Sequence, residues 1–140
     1  MSPRKRSSSI RSKSVSRIIF VLGGSASGKS EIALRLAGSK GPRAFVATGQ
    51  GLDAEMSARI ARHQATRAAD WETAEIPLEL AAWFSREGVR YRTIVLDCVT
   101  LWLSNLQGSG MKEPMVLKRV AGLLEAMRKT KARIVIVSNE

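Results

Sequence analysis

A glycine-rich segment at residues 23–30 carries the residue types of a phosphate-binding loop. It reads G-G-S-A-S-G-K-S, and the glycines of a G-x-x-x-x-G-K-[ST] pattern let backbone N–H groups curve around an anion without a Cβ in the way. Lys29 can reach the β- and γ-phosphates of a nucleotide, and the Ser30 hydroxyl can ligate Mg²⁺. The residues expected to contact nucleotide in this loop are Gly23, Gly24, Ser25, Ala26, Ser27, Gly28, Lys29 and Ser30.

The flanking sequence has the strand–turn–helix order that such a loop requires. The apolar run 18–22 leads into the loop, and an amphipathic segment follows it. The helix N-terminus adds the positive end of its dipole at the phosphates. We therefore predict binding of a nucleoside triphosphate; a chance match in an ordinary strand–turn–helix is the alternative.

Polar residues also follow two later apolar strands. Asp97 ends one of them, where a Walker B carboxylate holds Mg²⁺, often through water; an aspartate that caps a turn after a strand would look the same. Thr48, Gly49 and Gln50 follow the other strand. Because ligands of open α/β sheets gather at the carboxyl ends of strands, we expect these residues to lie at the same edge as Lys29.

Apolar runs and helical periodicity alternate along the rest of the chain. Strands are predicted at 18–22, 43–48, 93–97 and 133–137, and helices at 31–37, 54–67, 77–86 and from 114 onward. The fold class predicted is α/β, a P-loop NTPase (RecA-like) fold with a mostly parallel sheet and helices on both faces. Residues 104–113 are predicted to form a loop, and the strand at 133–137 to lie at an edge of the sheet.

Helical spacing predicts which side chains face the core. The expected inward residues are Ile32, Ala33 and Leu36 in the first helix, and Leu117, Val120, Leu124 and Met127 in the last. Cys98 is expected to be a packed thiol, and the three tryptophans to be core or pocket-wall residues: Trp71, Trp83 and Trp102.

The length and composition of the chain exclude several classes of protein. A chain of 140 residues makes one domain, and it has no apolar run near the ~18 residues of a membrane span. A single cysteine excludes a disulfide framework and suits a reducing cytoplasm. One histidine and one cysteine make a zinc site of N and S ligands very improbable.

The formal charge of +11 is concentrated at the N-terminus. Residues 1–16 are rich in Ser and Arg and lack apolar periodicity, which predicts a disordered basic tail ahead of one P-loop nucleotide-binding domain at 17–140. The tail has no hydrophobic region of a secretory signal. An organellar transit peptide and a solvated extension both fit its composition. A nucleic-acid-binding role for the tail is a further alternative, although we expect no specific nucleic-acid partner.

His63 is the only histidine. It continues the apolar stripe of Met56 and Ile60 on a helix for which Asp53 is the expected N-cap. A half-buried structural histidine fits this position. The neighbouring cations suit phosphate groups instead: Arg59, Arg62 and Arg67.

Together the motifs resemble one family, the bifunctional adenosylcobinamide kinase/adenosylcobinamide-phosphate guanylyltransferases of cobalamin biosynthesis. The resemblance runs from Ile18 to Glu140, and its most specific blocks are V-A-T-G-Q at 46–50 and L-D-C-V-T-L-W-L-S-N-L at 96–106. The other blocks are F-V-L-G-G-S-A-S-G-K-S at 20–30, D-A-E-M-S-A-R-I-A-R-H-Q at 53–64, W-E-T-A-E at 71–75 and V-I-V-S-N-E at 135–140.

The resemblance implies roles for individual residues. His63 occupies the position of a histidine that becomes covalently guanylylated, and Lys29 that of the catalytic P-loop lysine. Beyond residues 23–30, the nucleotide-contacting positions it implies are Thr48, Gly49, Gln50, Gln64, Ala65, Thr66, Arg67, Glu75 and Asp97. The metal positions are Ser30 and Asp97, which would hold Mg²⁺ partly through water.

The chain also departs from the family pattern. Ala26 stands where the family loop usually has arginine, which removes a guanidinium from the phosphates. The family continues past the N-E of Glu140 with V-G-x-G-I-V-P and a further segment, so the domain is expected to be incomplete at its C-terminal end.

The implied function is a pair of reactions in adenosylcobalamin (vitamin B12) nucleotide-loop assembly. The enzyme would phosphorylate adenosylcobinamide with ATP or GTP and then transfer GMP from GTP to adenosylcobinamide phosphate. It would be a cytoplasmic homo-oligomer. The alternatives are a P-loop kinase of another small metabolite, in which His63 is structural, and an inactive fragment or subunit that only binds nucleotide.

Overall fold

The computed structural model describes residues 17–23, 28–49 and 71–139, apart from the side chains of Ser30 and Asn139. The strands are β1 (Ile18–Gly23), β2 (Arg43–Ala47), β3 (Trp71–Glu75), β4 (Thr93–Asp97) and β5 (Arg133–Asn139). The helices are α1 (Lys29–Ala37), α2 (Leu80–Glu87), α3 (Val99–Gly108) and α4 (Glu113–Lys129), and a 3₁₀ turn spans Gly88–Arg90. The basic tail at 1–16 and the predicted helix at 54–67 lie outside the described residues.

The five strands form one sheet in the order β1-β5-β4-β2-β3, and every neighbouring pair is parallel. The prediction of an α/β fold built on a parallel sheet is therefore confirmed. The edge position expected for the strand at 133–137 is wrong, because β5 pairs with β1 on one side and β4 on the other. Among the described strands, β1 and β3 form the edges.

Helices cover both faces of the sheet, as predicted. Because side chains alternate across a strand, odd-numbered strand residues such as Val95 and Val135 pack with Ala33 and Leu34 of α1. Even-numbered residues pack with α2, α3 and α4 in a larger cluster that includes Trp83, Trp102, Ile94, Ile136 and Met127. None of the described helices is long and apolar enough to cross a membrane.

The inward faces of two helices differ from the prediction. In α1, Ala33 is buried as expected, but Ile32 and Leu36 are exposed, and the other buried apolar residues are Leu34 and Ala37. In α4, Met127 is buried and Val120 partly buried, whereas Leu117 and Leu124 are exposed. The buried stripe of α4 is instead Val116, Leu123, Ala126 and Met127. Both stripes of α4 are apolar, so packing against α2 decides between them.

Two regions of the structure differ from the elements predicted from the sequence. The segment W-E-T-A-E forms β3, a short edge strand among the described strands, and only its Trp71 is buried. Its charged residues interrupt the apolar pattern by which a strand is recognised in a sequence. The loop expected at 104–113 is shorter than predicted and spans 109–112, because α3 continues to Gly108 and buries Leu106. The core positions expected for Cys98 and the tryptophans are confirmed, since Cys98, Trp71, Trp83 and Trp102 are at most 6% exposed.

Candidate nucleotide-binding site

The carboxyl ends of all five strands meet at one edge of the sheet, as a parallel sheet requires. The strand register aligns Ala47 with Asp97, Asp97 with Val137, and Val137 with Val21. Adjacent strands lie about 5 Å apart. The P-loop strand β1 and the Asp97 strand β4 therefore flank β5 at a separation of about 10 Å, which a nucleotide phosphate group and a metal ion can span.

The strand and the helix expected on either side of residues 24–27 are both present. β1 ends at Gly23, and α1 begins at Lys29, with Gly28 as its N-cap at φ 76° and ψ 18°. A side chain at Gly28 would be strained in this left-handed conformation. Lys29 is only 6% exposed, so its stem is packed at the start of α1. The positive end of the helix dipole lies at this N-terminus, next to the end of the loop.

Thr48 ties β2 to the segment that follows Asp97. Its N–H donates to the Asp97 carbonyl at 3.0 Å, and its hydroxyl donates to the Cys98 carbonyl at 2.8 Å. The Cys98 N–H donates to the same hydroxyl at 3.0 Å. Thr48 is fully buried. Its hydroxyl therefore holds the backbone beside Asp97, and Gly49 is the next residue along this edge.

Asn105 extends this network from α3. Its side-chain amide donates to the Thr48 carbonyl at 3.0 Å and to the Pro77 carbonyl at 3.1 Å. It thereby fixes the ends of β2 and β3, which carry predicted site residues. Asn105 was not singled out from the sequence, although it lies three residues after buried Trp102 and so on the inward face of α3.

Two hydroxyls lie between the P-loop strand and Asp97. Ser138, near the end of β5, and Thr100, in the first turn of α3, have their side-chain oxygens 2.6 Å apart. Both lie at the carboxyl edge of the sheet, and sequence reasoning did not identify either one. They add hydrogen-bonding capacity at this edge of the sheet.

Glu75 lies at the same edge but far from the phosphate loop. It ends β3, and the following Ile76 N–H donates to the Ala47 carbonyl at 2.8 Å. Four strand spacings separate β3 from β1, a distance of roughly 19 Å. At this edge Gly23 and Lys29 lie at the β1 side, Asp97 lies at the middle strand, and Glu75 lies at the far side.

The remaining predicted site residues lie outside the described residues. They are Gly24, Ser25, Ala26, Ser27, Gln50, His63, Gln64, Ala65, Thr66 and Arg67. Ser30 is described only as a residue of α1. Among the residues that the structure describes, no three His, Cys, Asp or Glu side chains gather into a metal site. A P-loop Mg²⁺ takes much of its ligand set from nucleotide and water, so a single protein carboxylate such as that of Asp97 is compatible with one.

A basic cleft of about 850 Å³ lies at the opposite end of the sheet. Its cations include Arg17, which donates to the Thr130 carbonyl at 2.6 Å, and Arg133, which donates to the Leu36 carbonyl at 3.0 Å. These carbonyls belong to the C-terminal ends of α1 and α4. Cations are favourable there because they complement the negative end of the helix dipole. The position of the cleft, away from the P-loop, separates it from the candidate site.

A comparison with known protein families gives a match over most of the chain. The model of the family described as cobinamide kinase / cobinamide phosphate guanyltransferase matches residues 19–140. The match begins in β1 and includes every described strand and helix. Nucleotide substrates fit this family.

Three curated proteins are similar to the chain. The bifunctional adenosylcobalamin biosynthesis protein CobP of Pseudomonas aeruginosa is 45% identical over 122 residues, which cover 86% of this chain and 70% of the relative. The bifunctional adenosylcobalamin biosynthesis proteins CobU of Escherichia coli and Salmonella typhimurium are 32% and 33% identical over 135 residues. Each match covers 88% of this chain and 75% of the relative.

Proposed function

We propose a two-step nucleotide-transfer function for this chain, which belongs to the cobinamide kinase / cobinamide phosphate guanyltransferase family. The first step phosphorylates adenosylcobinamide with ATP or GTP. The second transfers GMP from GTP to adenosylcobinamide phosphate, in the nucleotide-loop assembly of adenosylcobalamin. The similar proteins are named as bifunctional adenosylcobalamin biosynthesis proteins, and the sheet-edge geometry suits both steps.

In the kinase step, the aminopropanol hydroxyl of adenosylcobinamide attacks the γ-phosphorus, and the bond to the β-phosphate oxygen breaks. Lys29 and the backbone N–H groups of the loop stabilise the negative charge that develops on the phosphate oxygens. Ser30 and Asp97 would hold Mg²⁺, which neutralises phosphate charge when bound. The observation that best supports this step is the register that places β1, with Lys29 beyond it, and Asp97 on opposite sides of β5.

In the guanylyl step, unprotonated His63 attacks the α-phosphorus of GTP and pyrophosphate leaves. The phosphoramidate then passes GMP to adenosylcobinamide phosphate and frees His63. A covalent intermediate suits a site that must exchange pyrophosphate for a second large substrate. Gln64, Ala65, Thr66, Arg67 and Glu75 would complete the nucleotide contacts, with Glu75 at the end of the edge far from the phosphate loop.

The proposal also concerns the cellular compartment and the oligomeric state of the enzyme. We place the enzyme in the cytoplasm, where the nucleotides are available and the lone buried Cys98 remains reduced. We also propose a homo-oligomeric assembly, which multi-angle light scattering of the purified chain would test.

The function is tested by following both products with adenosylcobinamide as acceptor. We expect ADP or GDP to form only when adenosylcobinamide is present, and pyrophosphate to form from GTP once adenosylcobinamide phosphate has accumulated. Mass spectrometry should identify adenosylcobinamide-GDP. Phosphorylation of a different small metabolite, with no reaction of adenosylcobinamide, would instead favour a P-loop kinase in which His63 is structural.

A further inference from the structure

The basic cleft at the amino ends of the strands is lined by six cationic side chains and by no acidic one. Three of the cations lie at the starts of β1, β4 and β5, which are neighbours in the sheet, and three lie at or just beyond the C-terminal ends of α1 and α4. The chain's 12 acidic residues all lie outside this lining. The six cations are Arg17, Lys40, Arg92, Lys129, Lys131 and Arg133.

The described carboxylates do not neutralise these cations. Among the residues that the structure describes, the salt bridges involve three other cations: Arg90, Arg119 and Arg128. Arg17 and Arg133 donate instead to neutral backbone carbonyls at helix ends. A guanidinium has five N–H donors, so one or two such bonds leave donors for a ligand. The cleft therefore keeps its positive charge.

Helix dipoles offset only part of that charge. The C-terminal ends of α1, α2 and α4 lie beside the cleft, since Ala37, Gly88 and Lys129 line it. Each helix end carries roughly half an elementary negative charge, so the three together balance about one and a half of the six positive charges. The cleft thus has more cations than its helix ends require, and a concave surface concentrates their field.

An extended polyanion matches this charge better than a single small anion does. A surplus of roughly four positive charges exceeds the charge of one inorganic phosphate. The polypeptide also stays basic immediately before Arg17, which lines the cleft. Residues 1–16 contain no acid and five cations: Arg4, Lys5, Arg6, Arg11 and Lys13. Cations that continue along the chain beyond one concave site suit a ligand made of repeated phosphate groups.

We propose that the basic cleft binds the phosphodiester backbone of single-stranded nucleic acid, independently of base sequence. Tyr91 is the only aromatic residue in the lining, and it is 8% exposed. Its ring stacks on Trp83, and its hydroxyl donates to Glu72. Tyr91 is therefore not available to stack a base, which is how many single-strand-binding proteins hold their ligand. The contacts are then to phosphates, which carry no sequence information.

This binding is separate from the proposed nucleotide transfer, because the cleft and the P-loop lie at opposite ends of the sheet. It requires no specific nucleic-acid partner. A flat anionic membrane fits the cleft less well, because lipid headgroups in a plane do not reach the floor of a concave surface, whereas a flexible strand does. Of the apolar lining residues only Leu36 and Val89 are exposed, fewer than the apolar face with which a peripheral protein enters a bilayer.

The test measures fluorescence anisotropy of a labelled oligo-dT of about 15 nucleotides as the full chain is added. Contacts to about four to six phosphates predict that log affinity falls with log salt concentration at a slope of about −3 to −4. A mixed-sequence strand of the same length should bind within about threefold of oligo-dT, because the contacts are to phosphates. Saturating GTP should leave the affinity for the strand unchanged.

Two double variants locate the contact. Arg92→Ala/Lys131→Ala removes two exposed cations from loops at the cleft. It should weaken strand binding more than tenfold and make the salt slope shallower by about 1.4. Lys112→Ala/Lys118→Ala removes the same charge from exposed positions outside the cleft lining, and should change the affinity less than about threefold. Melting temperatures of both variants, close to that of the parent, show that the fold is retained.

Several results would overturn the proposal. Equal weakening by the two double variants would attribute binding to net charge or to the tail, and displacement of the strand by GTP would place it at the P-loop. Tighter binding of a duplex of the same length would place the contact outside the cleft. Binding of inorganic polyphosphate or of phosphatidylglycerol vesicles without binding of either oligonucleotide would identify a different polyanion as the ligand.

Discussion

At the scale of single residues, we expect triphosphate binding to depend strongly on Lys29. Its position at the start of α1 is set by the Gly28 cap, and its side chain is buried rather than extended into solvent. A packed stem loses little conformational freedom when the ammonium group meets a phosphate. The binding contribution of this one cation should therefore be large.

We predict that Lys29→Ala lowers GTP affinity well over tenfold, a loss of about 1.4 kcal/mol or more. The reason is removal of the cation that reaches the β- and γ-phosphates. Titration calorimetry measures the effect. Lys40→Ala is the matched control, because Lys40 lines the basic cleft at the opposite end of the sheet. If both variants bound GTP as tightly as the parent does, the assignment of residues 23–30 as a P-loop would be contradicted.

Tyr91 provides a prediction about pH. It is 8% exposed and its hydroxyl donates to the Glu72 carboxylate; burial and this hydrogen bond raise its pKa to about 12. The unfolded chain loses the phenol proton near pH 10. Stability from Tyr91 is therefore complete below about pH 10 and falls as the pH rises from there toward 12, by at most ~1.4 kcal/mol per pH unit.

Urea unfolding of the parent and Tyr91→Phe measures this dependence. Below about pH 10 the variant should be less stable by about 1 kcal/mol, the contribution of one hydrogen bond. Above about pH 10 the difference between the two proteins should shrink, because only the parent carries the phenol. A constant difference between about pH 8 and about pH 11 would contradict the assigned pKa.

At the scale of elements, the contact between the 3₁₀ turn and the end of α4 leaves no room for a methyl group. A Cβ on Gly88 would lie 2.9 Å from Cγ2 of Thr130. Thr130 is held in place, because its hydroxyl donates to the Met127 carbonyl at 3.1 Å. The turn has a helical backbone at Gly88, with φ −58°, so the cost of a side chain is steric rather than conformational.

We predict that Gly88→Ala destabilises the chain by about 1–3 kcal/mol. The double variant Gly88→Ala/Thr130→Ser should recover much of that loss, because serine keeps the hydroxyl and removes the clashing methyl group. Denaturant unfolding of the parent, the double variant and both single variants measures the coupling. Additive effects of the two substitutions would contradict the described contact.

Sequence patterns predicted some elements well and others poorly, for physical reasons. β2, β4 and β5 are buried on both faces, so they read as continuous apolar runs. β3 is an edge strand among the described strands, and its residues Glu72, Thr73 and Glu75 are exposed, so its sequence pattern resembles that of a loop. α4 carries two adjacent apolar stripes, and only its packing against α2 distinguishes the buried one. The Thr48–Asn105 network joins residues 57 apart in sequence, which no local pattern indicates.

The candidate site was predictable to a similar extent. The P-loop motif placed Lys29, and the rule that ligands gather at strand carboxyl ends placed Thr48 and Asp97 at its edge. The residue types at these three positions, and the strand ends beside them, can be recognised from the local sequence. The hydroxyls of Ser138 and Thr100 lie together only because β5 enters the sheet between β1 and β4. The role of His63 depends on family resemblance and stays a prediction.

At the scale of the whole molecule, the charge separates into a basic tail and a moderately basic domain. We predict that deletion of residues 1–16 leaves GTP affinity and the melting temperature unchanged, because this segment is rich in Ser and Arg and lacks apolar periodicity. Calorimetry and thermal unfolding of the 17–140 chain measure both quantities. A tenfold loss of GTP affinity in the shortened chain would assign the tail a part in nucleotide binding.

The central claim is that one chain uses one nucleotide site for attack at two different phosphorus atoms. Only the guanylyl step requires a histidine nucleophile, and His63 is the only histidine. His63→Ala should therefore abolish GMP transfer and leave GTP binding and phosphorylation of adenosylcobinamide nearly intact, whereas Lys29→Ala should impair both reactions.

The most direct measurement is intact-mass spectrometry of the chain after incubation with GTP and Mg²⁺. We predict one GMP attached per chain, in an adduct that is labile in acid and stable in base, as a P–N bond is, and that is absent from His63→Ala. A parent chain that binds GTP in the same sample but forms no adduct, or an adduct that persists in His63→Ala, would contradict the proposed mechanism.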